Sequence, residues 1–177
     1  ADLRKSTLPT KIVSSNLDIL YEDEDILIMY KPPGMLSHAA HGKEYGKNLV
    51  DRMISYLIEK GDYVPRRNTT FTPAIINRLD RNTGGLVIGA KTYASLKDFN
   101  DKMRKGEIHK YYLALATEKK PQPKIYEGMW SKDGDRFNID IKEKTDGVQT
   151  KTEIVDVEKI GSFYLTRIRL YTGKTHQ

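Results

Sequence analysis

The sequence contains no cysteine and no long apolar run. Without cysteine there is no disulfide, no thiolate metal site and no cysteine nucleophile, and a reducing compartment is permitted. No apolar stretch approaches the ~18 residues that a membrane span needs, and residues 1–15 lack the apolar centre of a signal peptide. We therefore predict a cytoplasmic protein without membrane contact, whose 177 residues are enough to build one core.

The charge is moderately basic. Thirty Lys and Arg residues against twenty-four Asp and Glu residues give a net charge of +6 and a pI near 9.3. Such a balance favours a polyanionic partner, although the same excess could serve only solubility.

The most informative stretch is residues 77–85, which we call the site loop and which reads N-R-L-D-R-N-T-G-G between two runs rich in Ile. Apolar runs on either side of a Gly pair predict a strand, a loop and a strand. Asp80 is the only carboxylate in the loop and lies between Arg78 and Arg81. This arrangement suits chemistry on an anionic substrate, while the simpler interpretation is a turn-forming Asp with solvated arginines.

The segments before the site loop have local signals. Two apolar runs, 19–21 and 26–30, flank an acidic group and predict a hairpin, which the Lys-Pro-Pro-Gly sequence of residues 31–34 ends. His38 and His41 follow. They have no third ligand nearby and no cysteine to join them, so we interpret them as loop histidines and predict no metal site.

Two helices are predicted. The first begins after the N-cap Asn48 and ends at Gly61, and the second begins after Thr92 and ends at Gly106. The second helix has an apolar stripe that we interpret as core rather than as a cofactor site: Tyr93, Leu96, Phe99 and Met103.

The second half of the chain is strand-like. Residues 108–117 predict a strand on which Lys110 and Tyr112 share one face, and four further runs, 125–130, 137–141, 151–157 and 163–171, follow. The chain ends with T-G-K-T-H-Q. Read from the residues alone, Tyr112 could equally be an edge-strand tyrosine that packs on the core.

The chain contains four motifs in order: E-D followed by an apolar run and K-P-P-G, then N-R-L-D-R-N-T-G-G, then K-Y-Y-L-A, then T-G-K-T-H-Q. Together they resemble the motifs of the RluA-type RNA pseudouridine synthases. The resemblance implies that Asp80 is the catalytic residue, that Tyr112 lines the active site and that Lys174 is the cation that partners Asp80. Many members of the family have Arg at that last place, and Lys keeps its charge but not its bidentate geometry.

The resemblance also implies the fold, the partner and the RNA contacts. We expect an α+β catalytic domain over residues 17–177, with a mixed, mainly antiparallel sheet flanked by helices, after a linker or tail at residues 1–16. We expect no cofactor and no metal, and we expect the protein to be a monomer. The residues expected to contact RNA are Arg78, Arg81, Thr83, Lys110 and His176.

Ribosomal RNA of the large subunit is the expected substrate, with transfer RNA as the alternative. Two other functions remain open. One is an RNA-binding module without catalysis. The other is a nucleoside hydrolase or glycosidase, which would usually need a second acid or a metal site near Asp80 that the loop does not offer.

The last motif stops within the family pattern T-G-R/K-T-H-Q-I-R. We therefore expect the family's catalytic domain to continue beyond Gln177, and an S4-type RNA-binding domain can precede such domains. On this view the terminal segment would make few contacts, nearby apolar surface would be exposed, and Lys174 would be poorly placed. A longer chain is then expected to convert uridine faster.

Overall fold

The computed structural model describes residues 15–39, 44–65, 67, 70–133, 136–140, 147–174 and 177. It divides the chain into two compact units, Ala1–Asp101 and Lys102–Gln177, and the division falls within the second helix. The α+β class is confirmed, with two helices and two antiparallel sheets among the described residues. In that part of the chain no helix has the length and apolar character needed to cross a membrane.

The first unit contains a four-stranded antiparallel sheet in the order β1-β2-β4-β3. The predicted hairpin with an acidic turn is confirmed, and the Asp23 carboxylate accepts the N–H groups of Asp25 at 2.9 Å and Ile26 at 2.8 Å. The strand before the site loop is only two residues long. The strands are β1 (Asp18–Glu22), β2 (Ile26–Lys31), β3 (Ala74–Ile75) and β4 (Gly85–Ala90).

Helix α1 (Leu49–Lys60) has the predicted ends. The Asn48 side chain accepts the N–H of Asp51 at 3.0 Å, and Gly61 adopts the left-handed conformation at φ 85°. A buried face that includes Leu49, Met53 and Leu57 covers the sheet. Gly89 in β4 allows this close packing, because a Cβ there would lie 2.5 Å from the Met53 sulfur.

Helix α2 (Tyr93–Lys105) begins as predicted, since the Thr92 hydroxyl accepts the N–H of Ser95 at 3.1 Å. The predicted apolar stripe is wrong at Tyr93, which is 64% exposed and touches the Phe71 ring edge-on at 6.2 Å between centroids. Leu96, Phe99 and Met103 are half-buried, and the buried residue of this helix is Ser95. The period of the pattern was correct, but this face is only partly covered within the described residues.

The second unit is a five-stranded antiparallel sheet in the order β5-β9-β8-β6-β7. Tyr112 lies opposite Ile168, and Lys110 lies opposite Leu170. The five strands predicted from the sequence are confirmed, with ends that move by a few residues. They are β5 (Lys110–Ala116), β6 (Lys124–Asp133), β7 (Arg136–Asp140), β8 (Val148–Ile160) and β9 (Phe163–Leu170).

The two faces of this sheet differ in burial. Thr166 is buried, while Leu113 and Leu115 on the edge strand β5 are 70% and 64% exposed. Along β9, Thr166 is turned to the covered face and the next residue, Arg167, is exposed.

Candidate active site

Asn77 links the two ends of the site loop. The Asn77 side chain donates to the Leu86 carbonyl at 3.0 Å and accepts the N–H of Ile88 at 2.9 Å. The N–H of Ile76 donates to the Ile88 carbonyl at 2.8 Å. An amide side chain that satisfies two backbone groups of the facing strand fixes the ends of the loop, so the exposed Asp80 is carried on an anchored turn.

Residues 31–37, which we call the clamp segment, bind the site loop on both sides of Asp80. Lys31 is fully buried, and its ammonium donates to the carbonyls of Pro32 at 3.2 Å, Met35 at 2.7 Å and Arg81 at 3.1 Å. The Gly34 N–H donates to the same Arg81 carbonyl at 2.8 Å. A buried ammonium with three carbonyl acceptors holds two segments that are distant in sequence in one arrangement.

The charge of Lys31 also interacts with Asp80. Burial lowers the pKa of the Lys31 ammonium, and the attraction of the Asp80 carboxylate acts against that lowering. The predicted catalytic carboxylate therefore lies within the electrostatic reach of a buried cation that the sequence analysis did not single out.

The turn after Asp80 is tightly built. The Thr83 N–H donates to the Asp80 carbonyl at 3.1 Å, and Thr83 is half-buried. A Cβ at Gly84 would lie 3.0 Å from the Pro33 ring and 3.1 Å from the Tyr30 hydroxyl oxygen. A side chain at the first glycine of the T-G-G sequence would thus crowd Pro33 and Tyr30, which would have to move by a few tenths of an ångström.

The two arginines of the loop have different surroundings. Arg78 is exposed, and its charge acts on His38, whose pKa is lowered by burial and by Arg78 while Asp51 opposes the change. Arg81 instead forms an ion pair with Glu44, with 2.7 Å between the guanidinium nitrogen and the carboxylate oxygen. This ion pair was not expected, since the sequence assigned Arg81 to RNA alone. His41 lies outside the described residues.

The other predicted site residues lie in the second unit. Tyr112 and Lys110 are half-buried, and the Lys110 ammonium donates to the Thr172 carbonyl at 3.2 Å. Burial lowers the pKa of Lys110. Lys174 is half-buried, and His176 lies outside the described residues.

The end of the chain makes more contacts than the sequence led us to expect. The Gln177 side-chain oxygen accepts from the Thr172 hydroxyl at 2.9 Å and from the Lys174 N–H at 3.1 Å. Its side-chain nitrogen donates to the Thr152 hydroxyl at 2.9 Å and to the Lys151 carbonyl at 3.4 Å. The expectation of a terminal segment with few contacts is wrong at Gln177, because its amide can bond the last turn and the neighbouring strand together.

Asp80 lies in the first unit, and Tyr112 and Lys174 lie in the second. The structure places Lys31, Ser37 and Thr83 around the backbone of Asp80. The predicted partnership of Asp80 with Lys174 and Tyr112 stays a prediction. Among the described residues, no group of three or more His, Asp or Glu side chains is placed to hold a metal ion.

Comparison with known proteins gives a consistent result. The sequence profile of the family described as RNA pseudouridylate synthase matches residues 25–177. An RNA pseudouridine synthase of Mycoplasma capricolum is 33% identical over 172 residues, which cover 94% of this chain and 54% of that protein. The ribosomal large subunit pseudouridine synthase C of Vibrio vulnificus is 27% identical over 173 residues, covering 97% and 50% respectively.

A human protein titled RNA Pseudouridylate Synthase Domain Containing 4 has a similar fold, with a TM-score of 0.67 at 16% identity over 90% of this chain and 61% of that chain. The chain spans about half the length of the curated relatives it matches. Because the family profile covers most of the sequence, including the site loop and the last motif, the chain belongs to the RNA pseudouridylate synthase family.

Proposed function

We propose that this chain supplies the catalytic apparatus that converts uridine to pseudouridine in RNA, with Asp80 as the catalytic residue. The observation that carries the proposal is the site loop itself. It presents one exposed carboxylate on a turn whose backbone is bonded on both sides, within a family defined by this reaction. A residue held in this way suits chemistry that needs a fixed carboxylate.

The reaction breaks the bond between ribose C1′ and N1 of uracil, turns the base and forms a bond between C1′ and C5. The proton on C5 leaves and N1 gains a proton, so atoms and electrons balance without a redox step. The Asp80 carboxylate either adds to C1′ as a nucleophile or removes the C2′ proton as a base, and both routes need it ionised in the same place.

The target nucleotide must leave the RNA stack, and the lost base stacking costs roughly a few kcal/mol. Arg78 supports this step, because its exposed guanidinium can stack among bases and bind phosphate at once. Thr83, Lys110 and His176 are proposed as further RNA contacts. Arg81 joins them only when its ion pair with Glu44 opens.

In the second unit, Lys174 is proposed to partner the Asp80 carboxylate, and Tyr112 to stack on the uracil and assist the proton transfer from C5. Tyr112 and Lys110 lie on the same face of β5, where the Lys110 ammonium bonds the chain just before Gly173 and Lys174. This contact supports a common location for the K-Y-Y-L-A and T-G-K-T-H-Q motifs within the second unit.

Ribosomal RNA of the large subunit is the proposed substrate. The support is a relative from Vibrio vulnificus that carries this substrate in its name, together with the net charge of +6. Transfer RNA is the alternative. Cytoplasmic location and a monomeric state are proposed on the sequence alone.

The test measures tritium release from RNA labelled at C5 of uridine. The wild-type chain should release tritium, and Asp80→Asn should lose at least about 10³-fold in rate while its affinity for the same RNA changes little. An RNA-binding module without catalysis would bind the RNA equally well in both forms and release no tritium in either, and that result would refute the proposal.

A further inference from the structure

Ser37 makes two hydrogen bonds to a single residue of the site loop. Its hydroxyl donates to the Leu79 carbonyl at 2.7 Å and accepts the Leu79 N–H at 3.1 Å. Ser37 is 5% exposed and Leu79 is 9% exposed, so water has little access to these groups. One hydroxyl thus satisfies both backbone groups of the residue that precedes Asp80, from 42 positions away in the sequence.

These bonds fix the backbone on one side of Asp80. The Leu79 carbonyl belongs to the peptide unit that joins Leu79 to Asp80, so its bond to Ser37 orients that unit. On the other side, the Asp80 carbonyl accepts the Thr83 N–H at 3.1 Å. Because both peptide units around the Asp80 Cα are bonded, the direction in which the side chain leaves the backbone is set.

We propose that Ser37 is a positioning residue for Asp80. The inference rests on the proposed function, since it requires Asp80 to be the catalytic group. Ser37 does not touch the reacting atoms and acts through the Leu79 peptide groups. Without the hydroxyl, two buried backbone groups lose their partner, and the loop must shift to reach water.

Ser37→Ala should lower kcat by roughly 10-fold to 100-fold, because a displacement of about 1 Å can cost a factor of that size. KM should change less than two-fold, roughly, since the RNA-contacting side chains remain. Ser37→Thr keeps the hydroxyl and should restore most of kcat. Ser95→Ala is the matched control, because Ser95 is also buried but its hydroxyl bonds the Asp25 carbonyl at 2.9 Å.

Hydrogen exchange of the Leu79 amide gives a readout that does not need activity. Its exchange should speed up in Ser37→Ala and stay at the wild-type rate in Ser37→Thr and Ser95→Ala. Unchanged exchange in Ser37→Ala, or an equal loss of kcat in Ser37→Ala and Ser95→Ala, would overturn the inference. A wild-type chain that forms no pseudouridine would instead refute the proposed function, and the exchange of Leu79 would still decide whether Ser37 holds the loop.

Discussion

The N–H of Gly34 donates to the carbonyl of Arg81 at 2.8 Å and so joins the clamp segment to the loop that carries Asp80. Gly34 reaches this position with a φ of 87°, which L side chains rarely adopt. A contact between two sequence motifs therefore depends on one glycine, and this dependence can be measured.

Gly34→Ala should destabilise the protein by about 1 to 2 kcal/mol, the strain of the left-handed conformation, and should also lower kcat. Gly61→Ala is the matched control. Gly61 has a φ of 85°, and like Gly34 it would have no atom within 4 Å of an added Cβ, but it is the C-cap of α1 and not part of the clamp segment. Denaturant unfolding should give similar losses for both variants, with kcat reduced only in Gly34→Ala. Equal kcat values for the two variants would show that the clamp segment does not contribute to catalysis.

Glu44→Gln should strengthen RNA binding. It removes the carboxylate that pairs with Arg81 and frees the guanidinium for a phosphate. We expect a gain of about two-fold to five-fold in affinity, the size of an exposed ion pair. The slope of log K against log salt should steepen by about 0.7 to 0.9 for the added phosphate contact. Arg81→Gln in the Glu44→Gln background should abolish the gain, and a gain that persists there would assign it to another residue.

Glu22 should make stability depend on pH in the acidic range. Burial raises the pKa of Glu22, but hydrogen bonds from Lys60, Tyr56 and Lys91 outweigh it and lower the pKa to about 2. A depressed carboxyl pKa stabilises the fold above the unfolded value of 4.5, and this contribution is lost as the pH falls from 4.5 towards 2.

The free energy of unfolding that Glu22 contributes, and that is lost at low pH, should be about 1 to 2 kcal/mol once solvent screening of the ion pairs is allowed for. The free energy of unfolding, measured from about pH 5 to about pH 2.5, should decline less steeply in Glu22→Gln than in the wild type. Glu24→Gln, an exposed position in the same acidic turn, is the control. Identical pH profiles for Glu22→Gln and the wild type would contradict the assignment of this contribution to Glu22.

Gly89→Ala should disturb the packing of α1 on the sheet. A Cβ at this position would lie 2.5 Å from the Met53 sulfur and 2.8 Å from a Leu27 methyl. The expected loss is about 1 to 3 kcal/mol, typical of overpacking. In a Met53→Ala background the penalty should shrink, because the nearest colliding atom is gone. A penalty of the same size in both backgrounds would show that the Met53 sulfur is not its cause and would assign it to the Leu27 methyl or to the backbone.

Local chemistry made much of the fold predictable. Asn48 and Gly61 mark the ends of α1, Thr92 begins α2, and the acidic turn joins β1 to β2, because capping and turn formation depend on neighbours within a few residues. Tyr93 was misassigned to the core because helical period locates a face but does not say what covers it.

The support of the candidate site could not be predicted in the same way. Ser37 meets Leu79 across 42 residues, Lys31 meets Arg81 across 50, and Arg81 meets Glu44 across 37. No local pattern shows that this serine and this lysine make such contacts. The resemblance predicted Asp80 as the catalytic residue, but the groups that hold its backbone required the fold.

The most direct measurement is a map of pseudouridines in RNA from cells that lack the gene. Particular uridines should lose their modification, wild-type protein should restore it, and Asp80→Asn, expressed at the same level, should not. Large-subunit ribosomal RNA is where these positions are expected, and positions in transfer RNA would revise the substrate alone. Restoration by Asp80→Asn, or no lost site in any RNA, would contradict the account.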